Sequence, residues 1–266
     1  MTHVSGTPGA DAGARLLFVE DDEVIRSSLG QALERYGFTV HTADDGLSAL
    51  ELFREVRPDL LLVDVMLPGL DGIGLCRRLR EQSLTPILML SARGDPFDVV
   101  SGLEAGADDY VTKPCESSVI VARIRSLLRR AHYPPPHAAE PQATPTHSTY
   151  TYSTSTPSAP LSPAESEDAD PDLLTFGDLT VDTRGMEVRK AGRTVDLTPT
   201  ELRLLLEFAA SPGAVLERQT LLRRVWDYAW EGDSRVVDIH VQRLRAKIGS
   251  ERIETVRGFG YKLRRC

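Results

Sequence analysis

The 266-residue sequence predicts an α/β protein: a doubly wound parallel sheet, then a small antiparallel sheet with three helices and a terminal hairpin. The first observation behind this is a set of four apolar runs, each ending on a reactive residue. Leu16-Leu17-Phe18-Val19 runs into Glu20-Asp21-Asp22, and Leu60-Leu61-Leu62-Val63 into Asp64. Pro86-Ile87-Leu88-Met89-Leu90 runs into Ser91, and Tyr110-Val111-Thr112 into Lys113-Pro114. Unbroken apolar runs mark strands buried on both faces, as in parallel sheets. The second observation is a stretch from His132 to Asp172 with Pro-Pro-Pro at 134–136, repeated Ser and Thr, and little aliphatic bulk. The third is a run of short turn-punctuated strands followed by capped helices.

Open α/β sheets bind ligands at the carboxyl ends of their strands. The four runs therefore bring Glu20, Asp21, Asp64, Ser91 and Lys113 to one pocket. Carboxylates gathered at one point repel each other unless a cation lies between them. Hard oxygen ligands and an incomplete protein cage favour Mg²⁺. Glu20 and Asp21 are the expected outer ligands, with Asp64 giving a carboxylate oxygen and Met66 its backbone carbonyl. Aspartyl-phosphates are known chemistry, and phosphoryl transfer is mostly positioning and charge neutralisation. With a phosphoryl group on Asp64, Lys113 pairs with one oxygen and Ser91 donates to another. Glu20-Asp21-Asp22 alone would serve as an acid cluster at a helix start, and each of the other residues alone as a turn or solvated residue. Their convergence carries the reading.

Composition bounds the class. With 41% apolar and 26% charged residues the chain is of soluble, globular type. No apolar run has the length of a membrane span, and no basic-then-apolar start marks secretion. Cys76, Cys115 and Cys266 are an odd number without metal spacing, so the reducing cytoplasm is the expected compartment. The net charge of −8 is uneven: residues 234–266 hold nine basic and three acidic side chains. A basic end on an acidic chain points to nucleic acid. Four segments are expected: a loose tail over 1–14, a first domain over 15–131, a linker over 132–172 and a second domain over 173–266. The linker composition cannot bury enough surface to offset its ordering entropy. Forty such residues span on the order of 35 Å as a coil, so the domains are expected to be tethered rather than docked through this segment.

In the second domain, strands are expected at 174–176, 179–181, 187–189 and 194–196. Thr198, Pro199 and Glu201 form a helix start with a capping box, and Leu202, Leu205, Leu206 and Ala209 face a core. A shorter helix covers 219–226. A third runs from about Ser234 to Ile248, with Val237, Val241, Leu244 and Ile248 as its apolar seam. Beside that seam lies a stripe of His240, Arg243 and Lys247, with Arg235 at the helix start. A basic face next to an apolar seam suits a helix lying in a major groove. The final hairpin carries Arg257 at its tip, placed for a minor groove.

The segments LLFVEDDEVIR, LLLVDVMLPGLDG, PILMLSA and GADDYVTKP, in that order, resemble the active-site segments of two-component response-regulator receiver domains, over about residues 15–131. The resemblance implies a five-stranded, flavodoxin-like fold with Asp64 as phosphoacceptor and Glu20 and Asp21 as the acid pair. It also implies Ser91 and Tyr110 as switch residues, Lys113 as the family's lysine, and a cis Lys113-Pro114 bond. LTPTELRLLL, SRVVDIHVQRLRAKI and TVRGFGY resemble the winged helix-turn-helix effector of the OmpR/PhoB class, over about 173–264. By that likeness Arg235, Arg243 and Arg245 contact phosphates or bases, Arg257 enters the minor groove, and Thr255 and Tyr261 touch phosphates. His240 is expected as a packing or DNA-side residue. The stretch DVVSGLEAGADDYVTKP is most similar to actinomycete regulators of cell-envelope stress.

The implied protein is a transcription factor and not an enzyme. A sensor histidine kinase phosphorylates Asp64, the receiver dimerises, and two effectors bind direct-repeat promoter DNA, with RNA polymerase as a further partner. The implied dimer uses the face of the fourth helix, fifth strand and fifth helix: Asp109 with Arg123, a cluster of Glu104, Asp108 and Arg125, and Val99 and Val119 where the class has an ion pair. Apolar contacts are not screened by salt, so a dimer less salt-sensitive than usual is expected. Cys115 stands where the class usually carries Phe. Met66 and Arg93, each two residues beyond a pocket residue, are expected to shield the phosphoryl group and slow its hydrolysis. Two rival readings are a Mg²⁺-dependent aspartyl-phosphate phosphohydrolase and a phosphorylation-independent regulator. The first needs a second acid two residues after the nucleophile, where this chain has Met66. The intact acid set with Lys113 argues against the second.

Overall fold

The computed structural model describes residues 13–92, 96–132, 172–227 and 233–265. The expected loose tail up to residue 12, the linker over 133–171, Arg93 and Cys266 lie outside them. The first unit runs β1 (Arg15–Val19), α1 (Glu23–Arg35), β2 (Thr39–Ala43), α2 (Gly46–Val56), β3 (Leu60–Asp64), α3 (Gly72–Arg80), β4 (Ile87–Ala92), α4 (Pro96–Ala105), β5 (Asp109–Lys113) and α5 (Ser117–His132). The second runs β6 (Leu173–Phe176), β7 (Leu179–Asp182), β8 (Glu187–Lys190), β9 (Arg193–Thr194), α6 (Pro199–Ala209), β10 (Leu216–Glu217), α7 (Arg218–Trp226), α8 (Arg235–Ile248), β11 (Ile253–Val256) and β12 (Gly260–Leu263).

The first unit holds a five-stranded parallel sheet in the order β2-β1-β3-β4-β5. Successive strand residues point to opposite faces, and the apolar runs supply both. Leu16, Phe18, Leu60, Leu62, Leu88 and Leu90 pack with Leu33, Ile120 and Ile124 of α1 and α5. Leu17, Val19, Leu61, Val63, Ile87 and Met89 pack with Leu50, Leu75 and Leu103 of α2, α3 and α4. Asp22, Asp45 and Asp71 N-cap α1, α2 and α3 through side-chain acceptors, which fixes the helix starts beside the pocket. The Lys113-Pro114 bond is cis.

The second unit begins with a four-stranded antiparallel sheet, β6-β7-β8-β9, and ends in a three-stranded one, β10-β12-β11, whose β11–β12 hairpin is the wing. The fourth strand is shorter than expected, covering only Arg193 and Thr194. Thr198 and Glu201 form the reciprocal capping box of α6. Along α8, Val237, Val241, Leu244 and Ile248 are buried in the order the spacing predicts.

The two units are docked through helix faces rather than through the linker. Helix α8 packs against α4, and α6 against α5. The apolar cluster on the α2–α4 side of the first unit continues into the core of the second. This explains why α6 is buried beyond one stripe: Thr200, Glu201 and all of Leu204–Ala209 are covered. One face lies on its own domain and another on α5. Linker composition says that the linker is not the glue; it says nothing about the surfaces it joins.

Candidate phosphoacceptor site and domain seam

Burial sets the electrostatics of the strand-end pocket. Glu20 and Asp64 are almost wholly buried while Asp21 is exposed, and their carboxylate oxygens lie within 4.8 Å of one another. Burial pushes the Glu20 carboxyl above its ordinary value, against the pull of Lys113. Lys113 places its ammonium 2.7 Å from Glu20 Oε2 and 2.8 Å from Asp64 Oδ1. Burial disfavours the lysine charge, but these two carboxylates more than offset it and hold its pKa high. One ammonium against three carboxylates leaves the cluster short of positive charge. Hard oxygen donors at this spacing suit a small divalent cation. This is an acidic cluster of the receiver metal-site kind.

Three further residues complete the pocket. The Met66 amide donates to Asp64 Oδ2 at 3.2 Å, while its side chain is exposed. Ser91 lies one residue before the end of β4, next to Thr112 of β5, and is buried. Cys115 is half-buried against the α1–α5 apolar cluster, and burial raises its thiol pKa, which favours the unreactive thiol.

Tyr110 faces away from the pocket. Its hydroxyl donates to Asp233 Oδ2, just ahead of α8, at 2.8 Å. Nearby, Trp226 donates its indole N–H to the Asp108 carbonyl at 3.2 Å, and the Arg130 guanidinium lies over its ring. Ser126 donates to the Trp226 carbonyl at 2.9 Å, and Arg129 pairs with Asp227 at 2.7 Å. Arg130 reaches Thr200 Oγ1 at 3.1 Å. Arg243 donates to the carbonyls of Leu103 and Ala107, at 3.2 and 2.7 Å, and pairs with Glu201 at 2.9 Å.

The expected DNA-facing residues divide into two groups. Arg235, Thr255 and Arg257 are exposed. The others are buried or half-buried and held within the protein, as exposed Arg235 also is by Asp233. His240 is fully buried, edge-on to Trp226. Arg245 donates to the Ile253 carbonyl and to Thr255, and Lys247 to the Asp196 carbonyl and Glu201. The Tyr261 hydroxyl donates to Asp238.

The expected dimer residues divide as well. Asp109 and Arg123 pair within one chain at 3.1 Å. Glu104, Asp108 and Arg125 do not meet. Asp108 is wholly buried on Arg80 at 2.7 Å, while Arg125 lies over Phe38 and donates to the Tyr36 carbonyl. Register along a helix gave their order but not the side on which each long side chain settles. Val99 is buried and Val119 exposed. The seam residues Ser126, Arg129, Arg130, Trp226 and Asp233 were not foreseen. The adjacent Arg129 and Arg130 near the end of α5 are the sequence signal that could have pointed to them.

Comparison with known proteins places this geometry. The family model described as response regulator receiver domain matches residues 16–125, and that described as transcriptional regulatory protein, C terminal, matches 192–263. The transcriptional regulatory protein CseB of Streptomyces avermitilis is 59% identical, over 94% of this chain and 97% of its own length. This chain belongs to the OmpR/PhoB family of response regulators. AfsQ1 of Streptomyces coelicolor is 46% identical over 93% of this chain and 97% of its own. The DNA-binding response regulator MtrA of Mycobacterium tuberculosis is 38% identical over 93% and 96%. A solved RitR mutant shares the fold, with a TM-score of 0.67 at 22% identity, covering 96% of this chain and 100% of that one. The response regulator is thus a phosphorylation-activated receiver joined to a DNA-binding output domain, a transcription factor and not an enzyme. Family membership brings a sensor kinase, DNA and dimerisation as its partners. Among the described residues no helix is long and apolar enough to cross a membrane.

Proposed function

We propose that a sensor histidine kinase transfers phosphate to Asp64 and that this frees a DNA-binding surface now held by the receiver. Glu20, Asp21, Asp64 and the Met66 carbonyl are the residues to hold Mg²⁺, which when bound neutralises charge on the phosphoryl oxygens. Lys113 pairs with one phosphoryl oxygen and the Ser91 hydroxyl donates to another. As Ser91 moves toward the phosphate, Tyr110 follows inward and leaves Asp233. The α4–β5–α5 face, with Val99, Glu104, Asp109, Val119 and Arg123, then meets a second copy.

Two effectors bind direct repeats about 10 bp apart, through Arg235, His240, Arg243, Arg245, Lys247 and Arg257, with Thr255 and Tyr261 on phosphates. Once the seam opens they swing clear of the receivers, and RNA polymerase is the downstream partner. The observation that carries this reading is Arg243. A side chain suited to DNA is clamped on the backbone carbonyls of Leu103 and Ala107, so receiver and DNA compete for one guanidinium.

Asp64→Asn tests it. Selected direct-repeat DNA should bind the wild-type protein at least tenfold tighter after treatment with a small phosphodonor, and the variant should not respond. A responsive variant, or an unresponsive wild type, would favour phosphorylation-independent control. Sustained phosphate release by the wild type would favour the phosphohydrolase.

A further inference from the structure

We propose that the domain seam is a second input, sensitive to protons through His240, which opens the protein in mild acid without phosphate on Asp64. The inference rests on the closed-state reading above.

His240 lies at the centre of the seam and is fully buried. Its Nδ1 is 2.9 Å from the Val236 carbonyl, an acceptor only, so Nδ1 carries the proton of the neutral ring. Nε2 therefore offers a lone pair, and it faces Arg243 Nη1 at 3.5 Å. The same Arg243 nitrogen holds the receiver carbonyls. A second proton on His240 would turn that lone pair into an N–H aimed at a guanidinium.

The surroundings come from every element packed there. Helix α7 contributes the Trp226 ring, at 5.1 Å centroid to centroid. Helix α5 contributes the Arg130 guanidinium, which lies over Trp226. The segment ahead of β5 contributes the Asp108 carboxylate, already matched by Arg80. Helix α6 contributes Glu201, paired with Arg243 and Lys247. Among the described residues the one favourable charge facing a protonated ring is Asp108, whose Oδ2 is taken by Arg80 and the Ile87 amide while Oδ1 has no hydrogen-bond partner. Burial first, then Arg243, lowers the His240 pKa to about 3 against an ordinary 6.5.

The sign follows from linkage. A group whose pKa is depressed in the closed form binds protons better in the open form, so acid favours opening. At pH 7.5 the ring is neutral in both forms and the effect is absent. Where opening restores the ordinary pKa, the open-to-closed ratio rises about tenfold between pH 7.5 and 5.5. Phosphate enters at the strand ends and protons at the recognition helix, and both act on one equilibrium.

The test uses the full chain with Trp230→Phe, which leaves Trp226 as the sole indole. Its emission is followed from pH 7.5 to 5.5 without phosphodonor, and again at pH 7.5 with Mg²⁺ and beryllofluoride. Acid should shift the emission to the red, in line with a tenfold rise in open form. His240→Asn and His240→Gln should abolish the shift; whichever melts like the parent at pH 7.5 is the one to use. A flat parent profile, or an equal shift in the variant, overturns the proposal. If beryllofluoride shifts the emission and acid does not, the proton input falls and the closed state stands. If neither shifts it, both fall.

Discussion

Tyr110 of the receiver and Asp233 of the effector share a 2.8 Å hydrogen bond across the domain boundary. Asp233 also accepts from the backbone and side chain of Arg235, so it stays partnered when the phenol leaves. Tyr110→Phe therefore removes one charge-assisted bond without stranding its acceptor. About 1.5–3 kcal/mol of closed-state preference should go, which is roughly a ten- to hundredfold rise in open form. Fluorescence anisotropy on direct-repeat DNA should show the unphosphorylated variant binding tighter by that factor. Unchanged affinity would mean that the bond carries no part of the closure.

Arg80→Leu should be among the most damaging single changes in the receiver. Arg80 pairs with buried Asp108 and also donates to the carbonyls of Thr85 and Gly106. Breaking such a pair leaves an uncompensated buried charge, a loss of about 3–5 kcal/mol. The thermal midpoint of the receiver transition should drop by more than about 10 °C.

The pH profile of the same pair is fixed in sign. Burial pushes the Asp108 carboxyl up, but Arg80 first and then Arg243 more than offset it and hold the carboxyl below its ordinary 3.8. Its contribution is thus complete above pH 3.8 and is lost only as pH falls toward the depressed folded value. In Arg80→Leu the burial effect loses its main opponent, so acid-dependent changes in stability should move to higher pH. Denaturant titrations at pH 3 to 6 would show this.

Gly72→Ala and Gly69→Ala should separate two kinds of glycine. A Cβ on Gly72 would lie 2.1 Å from the Asp64 carbonyl oxygen, so the end of β3 would have to move. Phosphorylation from a small donor should slow by more than tenfold, with roughly 1–3 kcal/mol of stability lost to overpacking. Gly69 has open space but a φ of +72°, so Ala there costs about 1–2 kcal/mol and should leave the phosphorylation rate unchanged.

Arg243→Ala should move two measurements in opposite directions. Losing the clamp on Leu103 and Ala107 relieves a restraint that opposes phosphorylation, and by reciprocity phosphate uptake by Asp64 should speed up several-fold. Losing a base or phosphate contact should weaken DNA binding by about 1–3 kcal/mol. Loss of both activities together would point to unfolding instead.

Much of the receiver was legible because its apolar runs leave few other folds open, and Asp64 and Lys113 stand where strands must end. The helix starts were legible from Asp22, Thr198 and Glu201, whose side chains act within a few residues. The seam was not. Trp226, Arg130 and Arg243 meet partners more than a hundred residues away or across a domain boundary, and such contacts leave no periodicity. Arg245 and Lys247 sat on the expected face, yet their long side chains found nearby carbonyls. Helical phase gives the direction of Cβ, not the end point of four further bonds.

Among the described residues strand β5 lies at the margin of its sheet, paired with β4 alone. Such a margin presents unpaired backbone groups that invite another chain to join them. Here the carbonyls of Ala107 and Asp108, just ahead of the strand, are capped by Arg243 and Trp226. Releasing the effector uncovers them. On the closed-state reading, the effector that leaves also unveils the end of the sheet from which the receiver meets its second copy, so shielding and self-association are two outcomes of one docking choice.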